Sequence, residues 1–123
     1  MKDKFLTEEE FIKLTKEKQT CCVKYSNCKA WYKEGELHRE DGPAVEFADG
    51  EKHWYKEGKC HREDGPAVEY ASGINYWYKE NRIHREDGPA IEYPDGDKTY
   101  CLNSVLYSYQ QWYTIVNNLE KFI

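Results

Sequence analysis

Three runs of His-Arg-Glu-Asp, at residues 38–41, 61–64 and 84–87, are the parts of this 123-residue chain best equipped for chemistry. Each sets an imidazole, a guanidinium and two carboxylates side by side, the ingredients of general acid–base catalysis or of a metal site. The runs recur every 23 residues, and that regularity counts against both readings. A catalytic centre needs one convergent cluster, whereas translation by two strands places equivalent residues roughly 10 Å apart. Zinc ligands must stand about 2.0–2.3 Å from a single ion, so His38, His61 and His84 cannot share one unless the sheet curls sharply. No catalytic residue, metal or cofactor is therefore expected. An enzyme, metal site or small-ligand binder built on one run, with the central His61 as first candidate, is kept as the alternative.

A structural role accounts for more of the motif. Asp41, Asp64 and Asp87 each precede Gly-Pro, and a proline two positions on has no N–H for the carboxylate to accept in an Asx turn. Pairing with Arg39, Arg62 and Arg85 is the remaining use. It builds a charge ladder along one edge, in which each exposed pair contributes about 0–1 kcal/mol. His38, His61 and His84 are expected to hydrogen-bond neighbouring turns.

The elements that must hold these runs are short strands. Each unit opens on Trp31-Tyr32, Trp54-Tyr55 or Trp77-Tyr78 and ends on Val45-Glu46-Phe47, Val68-Glu69-Tyr70 or Ile91-Glu92-Tyr93. The second set alternates apolar and charged side chains, the period of a strand with one covered face. Turns fall at Asp49-Gly50, Ser72-Gly73 and Asp95-Gly96, and again at Glu34-Gly35, Glu57-Gly58 and Glu80-Asn81. Asn in the place of Gly marks a position that needs a left-handed backbone. Leu37, Cys60, Ile83 and Leu106 form one column that reads as interior. Val23-Lys24-Tyr25 begins the pattern half a unit early, and the match stops at Ser108, so the sheet is expected over residues 20–107.

Both ends carry helix signals. Thr7 with Glu10, and Ser108 with Gln111, have the spacing of a capping box, in which a hydroxyl and a side-chain carbonyl satisfy otherwise orphaned N–H groups. Phe11 and Leu14 follow the first, and Trp112, Ile115, Val116 and Leu119 follow the second, at helical spacing. The chain reads as one mainly β domain: an N-terminal helical cap over 1–19, the repeat sheet over 20–107 and a C-terminal helical cap over 108–123. The sheet itself is expected to be a single-layer, twisted antiparallel meander.

Charge and composition narrow the partners. The net charge of −5 is divided as +2 over residues 1–30, −7 over 31–99 and 0 over 100–123. Direct binding to nucleic acid or to anionic lipid relies on excess Lys and Arg, so the acidic repeats disfavour both. The Trp31, Trp54 and Trp77 column could stack bases, but that role comes with a basic groove; core packing is the expectation for it. Tyr32, Tyr55 and Tyr78 alternate to the other face, where an aromatic row rimmed by charge would offer a protein-binding surface. The five cysteines lack a disulfide-framework spacing, and Cys21, Cys22 and Cys28 lack the C-x-x-C pair of a zinc site. Free thiols, a charged start without the apolar core of a signal peptide, and no apolar span of about 20 residues lead to a cytoplasmic expectation.

The units W-Y-K-E-G-x-x-H-R-E-D-G-P-A-V-E-Y-x-x-G resemble MORN repeats over about residues 20–107, in a variant with Arg where the ordinary pattern has Gly after the histidine. The resemblance implies a hairpin-per-repeat sheet used as an interaction scaffold. Similar small proteins occur in bacteriophages, large DNA viruses and bacteria, which implies a phage or viral accessory protein acting in the host cytoplasm. The resulting expectation is a non-enzymatic binding module that inhibits a host defence protein. Its acidic residues Glu40, Asp41, Glu63, Asp64, Glu86 and Asp87 would meet a basic partner, such as a nucleic-acid-binding host factor. Self-assembly into a homo-oligomer is the second alternative.

Overall fold

The computed structural model describes residues 5–9 and 20–118. The chain forms fifteen short strands and one helix among these residues. Strands β1 (Phe5–Leu6), β2 (Thr20–Lys24), β3 (Cys28–Lys33) and β4 (Glu36–Leu37) build the N-terminal end. The middle contains β5 (Val45–Phe47), β6 (Lys52–His53), β7 (Tyr55–Lys56), β8 (Lys59–Cys60) and β9 (Val68–Glu69). It continues through β10 (Asn75–Tyr76), β11 (Tyr78–Lys79), β12 (Arg82–Ile83) and β13 (Ile91–Glu92). The last elements are β14 (Lys98–Leu102), β15 (Val105–Tyr107) and helix α1 (Tyr109–Val116).

The main sheet runs β1-β2-β3-β5-β6-β9-β10-β13-β14-β15, with β4 paired to β3. Its pairings are antiparallel except at β1, which lies parallel to β2 with Phe5 opposite Cys22. Two hairpins, β7–β8 and β11–β12, stand as separate two-stranded sheets. The reason is visible at Trp54. Its N–H donates to the Ala67 carbonyl at 2.7 Å, while its own carbonyl accepts from the His61 N–H at 3.1 Å. One residue therefore bonds in two directions, and the chain leaves the main sheet there; Trp77 does the same with Ala90 and His84.

The two middle hairpins thus stand beside the main sheet, whereas the first and last, β3–β4 and β14–β15, belong to it. The hairpin turns have two central residues with positive φ, such as Glu57 (51°) and Gly58 (81°), which is the geometry that matches strand twist in a two-residue loop. The wider turns at Gly50, Gly73 and Gly96 also place the glycine at positive φ. Asp49 and Asp95 each accept the N–H two residues on, at 3.0 and 2.9 Å, which fixes those turns.

The core is thin and built from small residues and rings. Ala44, Ala67 and Ala90 are fully buried, together with Val68, Ile91, Cys60 and Cys101. Trp54, Tyr55, Tyr76 and Tyr78 pack on the middle cluster. Each of these alanines also bridges two strands through its backbone. Ala67, for example, donates to the Tyr76 carbonyl and accepts from Trp54, both at 2.7 Å.

Two expectations are corrected. Among the described residues there is one helix, at the C-terminal end, and not one at each end. At the N-terminal end β1 covers the outer edge of β2 by backbone pairing, a role the expected cap over 1–19 had assigned to a helix; its residues 10–19 lie outside the described residues. The second correction concerns the supposed interior column. Cys60 is buried and Leu37 and Ile83 are half-buried, but Leu106 is 68% exposed. In the first three hairpins the following unit lies against this position; Leu106 has no following unit in the chain.

Helix α1 follows its sequence signal. Ser108 Oγ accepts the Gln111 N–H at 3.1 Å and Gln111 Oε1 accepts the Ser108 N–H at 3.0 Å, completing the capping box. The buried Trp112 ring stands 4.9 Å from Tyr100, and its indole N–H donates to the Arg85 carbonyl at 3.0 Å. No helix among the described residues is long and apolar enough to cross a membrane.

Candidate functional site

The His-Arg-Glu-Asp runs share one geometry, repeated three times. Arg62 lies over the Trp54 ring, with its guanidinium carbon 3.9 Å from the centroid. Its Nε donates to Asp64 at 3.1 Å, and its Nη1 donates to the Pro66 carbonyl at 3.0 Å and to Glu69 at 3.3 Å. Arg39 over Trp31 and Arg85 over Trp77 repeat these contacts, at 3.7 and 4.0 Å from the ring centroids. Arg39 and Arg85 also bond Asp41 and Asp87, as the absence of a proline N–H predicts. The charge ladder expected along one edge is instead a set of clamps, each closing its own unit.

The glycine of Asp-Gly-Pro lies close under this clamp. A Cβ at Gly42, Gly65 or Gly88 would meet the guanidinium carbon of its own unit's arginine at 3.2, 2.9 or 2.8 Å. A side chain there would require the guanidinium to shift from this position over its tryptophan, least at Gly42 and most at Gly88.

Each histidine works between units. His38 Nδ1 accepts the Glu57 N–H at 2.9 Å, His61 Nδ1 the Glu80 N–H at 3.0 Å and His84 Nδ1 the Asn103 N–H at 3.0 Å. A nitrogen that accepts carries no proton, so Nε2 is the protonated position. Nε2 faces Glu40 at 2.7 Å, Glu63 at 2.5 Å and Glu86 at 2.8 Å. The donating residues are the left-handed first positions of the hairpin turns, at φ 51°, 49° and 51°. That conformation is costly for residues other than Gly, at about 1–2 kcal/mol. The histidine helps hold it by giving the turn's N–H a partner.

The carboxylates next in sequence face outward. Glu40 and Glu63 are each 68% exposed at the side chain, and Asp64 and Asp87 87%. The hydrogen bond from His38 holds the Glu40 carboxyl below its usual range, as His61 and then Lys79 do for Glu63. The Arg85 hydrogen bond does the same for Asp87. These three carboxylates thus stay ionised at neutral pH while remaining open to a partner.

Successive runs wall open grooves. Between the first and second runs lies a groove of about 660 Å³, lined by Glu40, Asp41, Trp54, Tyr55, Glu63 and Asp64 among others. A second of about 370 Å³ separates Glu63 and Asp64 from Glu86 and Asp87, with Trp77 and Lys79 between them. The Glu63-Asp64 pair is the shared wall.

The expected tyrosine row is placed differently. Tyr32, Tyr55 and Tyr78 are half-buried, and burial raises all three phenols above their usual range. Tyr32 bonds the Tyr25 hydroxyl at 3.1 Å, and Tyr78 stacks on Tyr76 at 6.1 Å. The more exposed large side chains are Tyr25, Tyr70, Val105, Leu106, Tyr109 and Tyr113. Trp54, Tyr55 and Tyr78 all pack against the same middle core cluster, which alternation along one strand does not anticipate.

His53, outside the three runs, pairs with Glu51 at 2.6 Å and packs among Phe47, Tyr55 and Tyr70. Burial pushes the Cys60 thiol up to about 12, leaving it a core residue without nucleophilic character at neutral pH. Among the described residues no group of three or more His, Cys, Asp or Glu is arranged to hold a metal ion. No family model, curated protein or solved structure matches the chain.

Proposed function

We propose that this protein is a non-enzymatic, MORN-like binding module whose acidic rim docks on a basic surface of another protein. The observation that carries the reading is the division within each run. The histidines and arginines are buried or half-buried and bonded to their own or the next unit, whereas Glu40, Asp41, Glu63, Asp64, Glu86 and Asp87 are exposed along the grooves. A row of carboxylates without free guanidinium groups steers a cationic partner and repels nucleic acid. In the setting implied by the repeat pattern, that partner is a host defence protein whose own nucleic-acid-binding surface the module blocks.

The test is capture from host cells with wild type and with the Glu63→Lys/Asp64→Lys double variant, after circular dichroism has shown both to be folded. The reading expects a captured protein with a basic surface, lost from the variant and released by salt. Equal capture by both forms would remove this rim from consideration.

A further inference from the structure

Where consecutive units meet, the second residue of one hairpin turn docks on the outer strand of the hairpin before it. The Gly58 N–H donates to the Leu37 carbonyl at 2.9 Å, the Asn81 N–H to that of Cys60 at 2.9 Å and the Ser104 N–H to that of Ile83 at 2.8 Å. Asn81 Oδ1 and Ser104 Oγ also accept the Cys60 and Ile83 N–H groups, at 2.8 and 3.1 Å. One contact, a left-handed turn residue against the outward backbone of a hairpin strand, is thus made at every inner joint.

The two ends of the array hold the two halves of this contact without a partner among the described residues. Leu106 stands opposite Cys101 as Leu37, Cys60 and Ile83 stand opposite the tyrosines of their own hairpins. Its N–H and carbonyl are therefore turned outward in the same way, on the last strand of the sheet. Helix α1 brings Trp112 onto Arg85 and Tyr100 but leaves Leu106 68% exposed and Val105 51%. At the other end Glu34 and Gly35 have the conformation of the inner turns, at φ 52° and 83°, and both are exposed. A Cβ on Gly58 would meet Glu36 of the preceding hairpin at 3.1 Å, whereas one on Gly35 would meet nothing within 4 Å.

We propose that a second copy of this chain supplies the missing half, the Glu34–Gly35 turn of one molecule docking on β15 of another. The occupant follows from continuity, because a turn of this conformation covers the equivalent strand position at every inner joint. A two-fold contact of β15 with β15 would instead cover Leu106 with its own copy and leave the turn unused. The head-to-tail contact joins two different surfaces, so each molecule keeps one turn and one edge for further copies. It is separate from the acidic rim and calls on none of its carboxylates.

The test uses the full chain. Sedimentation velocity over a concentration series is expected to show the wild type growing beyond one chain. Leu106→Arg, at an exposed site, is expected to remain a single chain with unchanged near-ultraviolet circular dichroism. Gly35→Asn puts at the first turn the side chain found at residue 81, and gives the Leu106 N–H an acceptor; self-association is expected to tighten about fivefold. Mixing then reads the direction of the contact. ¹⁵N-labelled Leu106→Arg keeps its turn, so its Gly35 amide signal is expected to shift on addition of unlabelled wild type. The same signal should stay in place when unlabelled Leu106→Arg is added.

A wild type that stays one chain at every concentration overturns the inference. So does association that Leu106→Arg leaves intact, which puts the contact elsewhere. A Gly35 signal unmoved by wild type, or Gly35→Asn without effect, overturns the head-to-tail contact. None of these outcomes bears on the acidic rim, which the host-cell capture decides.

Discussion

Two kinds of joint close this molecule, and they solve the same problem with different side chains. Between units, an imidazole reaches 19 residues along the chain to accept one N–H of the next turn, and it does so three times. At the C-terminal end Tyr107 occupies the histidine column, and helix α1 brings a buried tryptophan back onto Arg85 and Tyr100. An inner joint needs only a small polar contact because the next unit supplies the rest of the cover. The terminal joint has no next unit, so one large ring replaces it.

The contrast predicts unequal costs. Trp112→Ala should destabilise the protein most, by about 3–5 kcal/mol, the usual range for removing a buried tryptophan; urea unfolding followed by far-ultraviolet circular dichroism measures it. His61→Ala should cost about 1–2 kcal/mol, since it strips the Glu80 N–H of its acceptor. His61→Asn, which can present an amide oxygen to the same N–H, should recover part of that loss. If His61→Ala cost as much as Trp112→Ala, the inner joints would carry more than a single hydrogen bond.

The turns sharpen the comparison from the other side. Glu57 and Glu80 are left-handed, whereas the last turn has Asn103 at this position. Asn tolerates that conformation better than Glu does. Glu57→Asn is therefore expected to raise stability by about 0.5–1 kcal/mol, seen as a later urea midpoint with unchanged slope.

The smallest effect belongs to the exposed carboxylates of the joints. The folded protein lowers the titration of Glu40 and Glu63 from the ordinary 4.5, and of Asp87 from 3.8. A depressed carboxylate contributes its stability fully above the unfolded value and loses it as pH falls through the folded one. Urea midpoints should thus be insensitive to these groups above about pH 5 and decline below about 4.5. Glu40→Gln/Glu63→Gln should make that acid decline shallower. An unchanged decline would mean that other carboxylates govern it.

Much of this was legible in the sequence, for reasons specific to particular residues. Ser108 and Gln111 announced the helix because a capping box is local. Asp64 was assigned to Arg62 because Pro66 has no N–H to act as a competing donor. The arginine–tryptophan stack was not legible, since Trp54 and Arg62 lie on different segments whose approach depends on the chain turning at Trp54. That turn was itself hidden, as the residues around Trp54 alternate like one continuous strand. Leu106 misled because a column of apolar residues records what each unit offers, not whether a neighbour arrives to cover it. The hydrogen bond between His61 and Glu63 was not legible either, since it needed the three-dimensional course of the chain after β8.

The central claim is that the histidines are joints of the fold and not reactive groups. Long-range ¹H–¹⁵N correlation spectra of the imidazole rings test it most directly. The account predicts that His38, His61 and His84 share one pattern at neutral pH, with the proton on Nε2 and an unprotonated, hydrogen-bonded Nδ1. A proton on Nδ1 in any of the three, or exchange between the two tautomers, would contradict it.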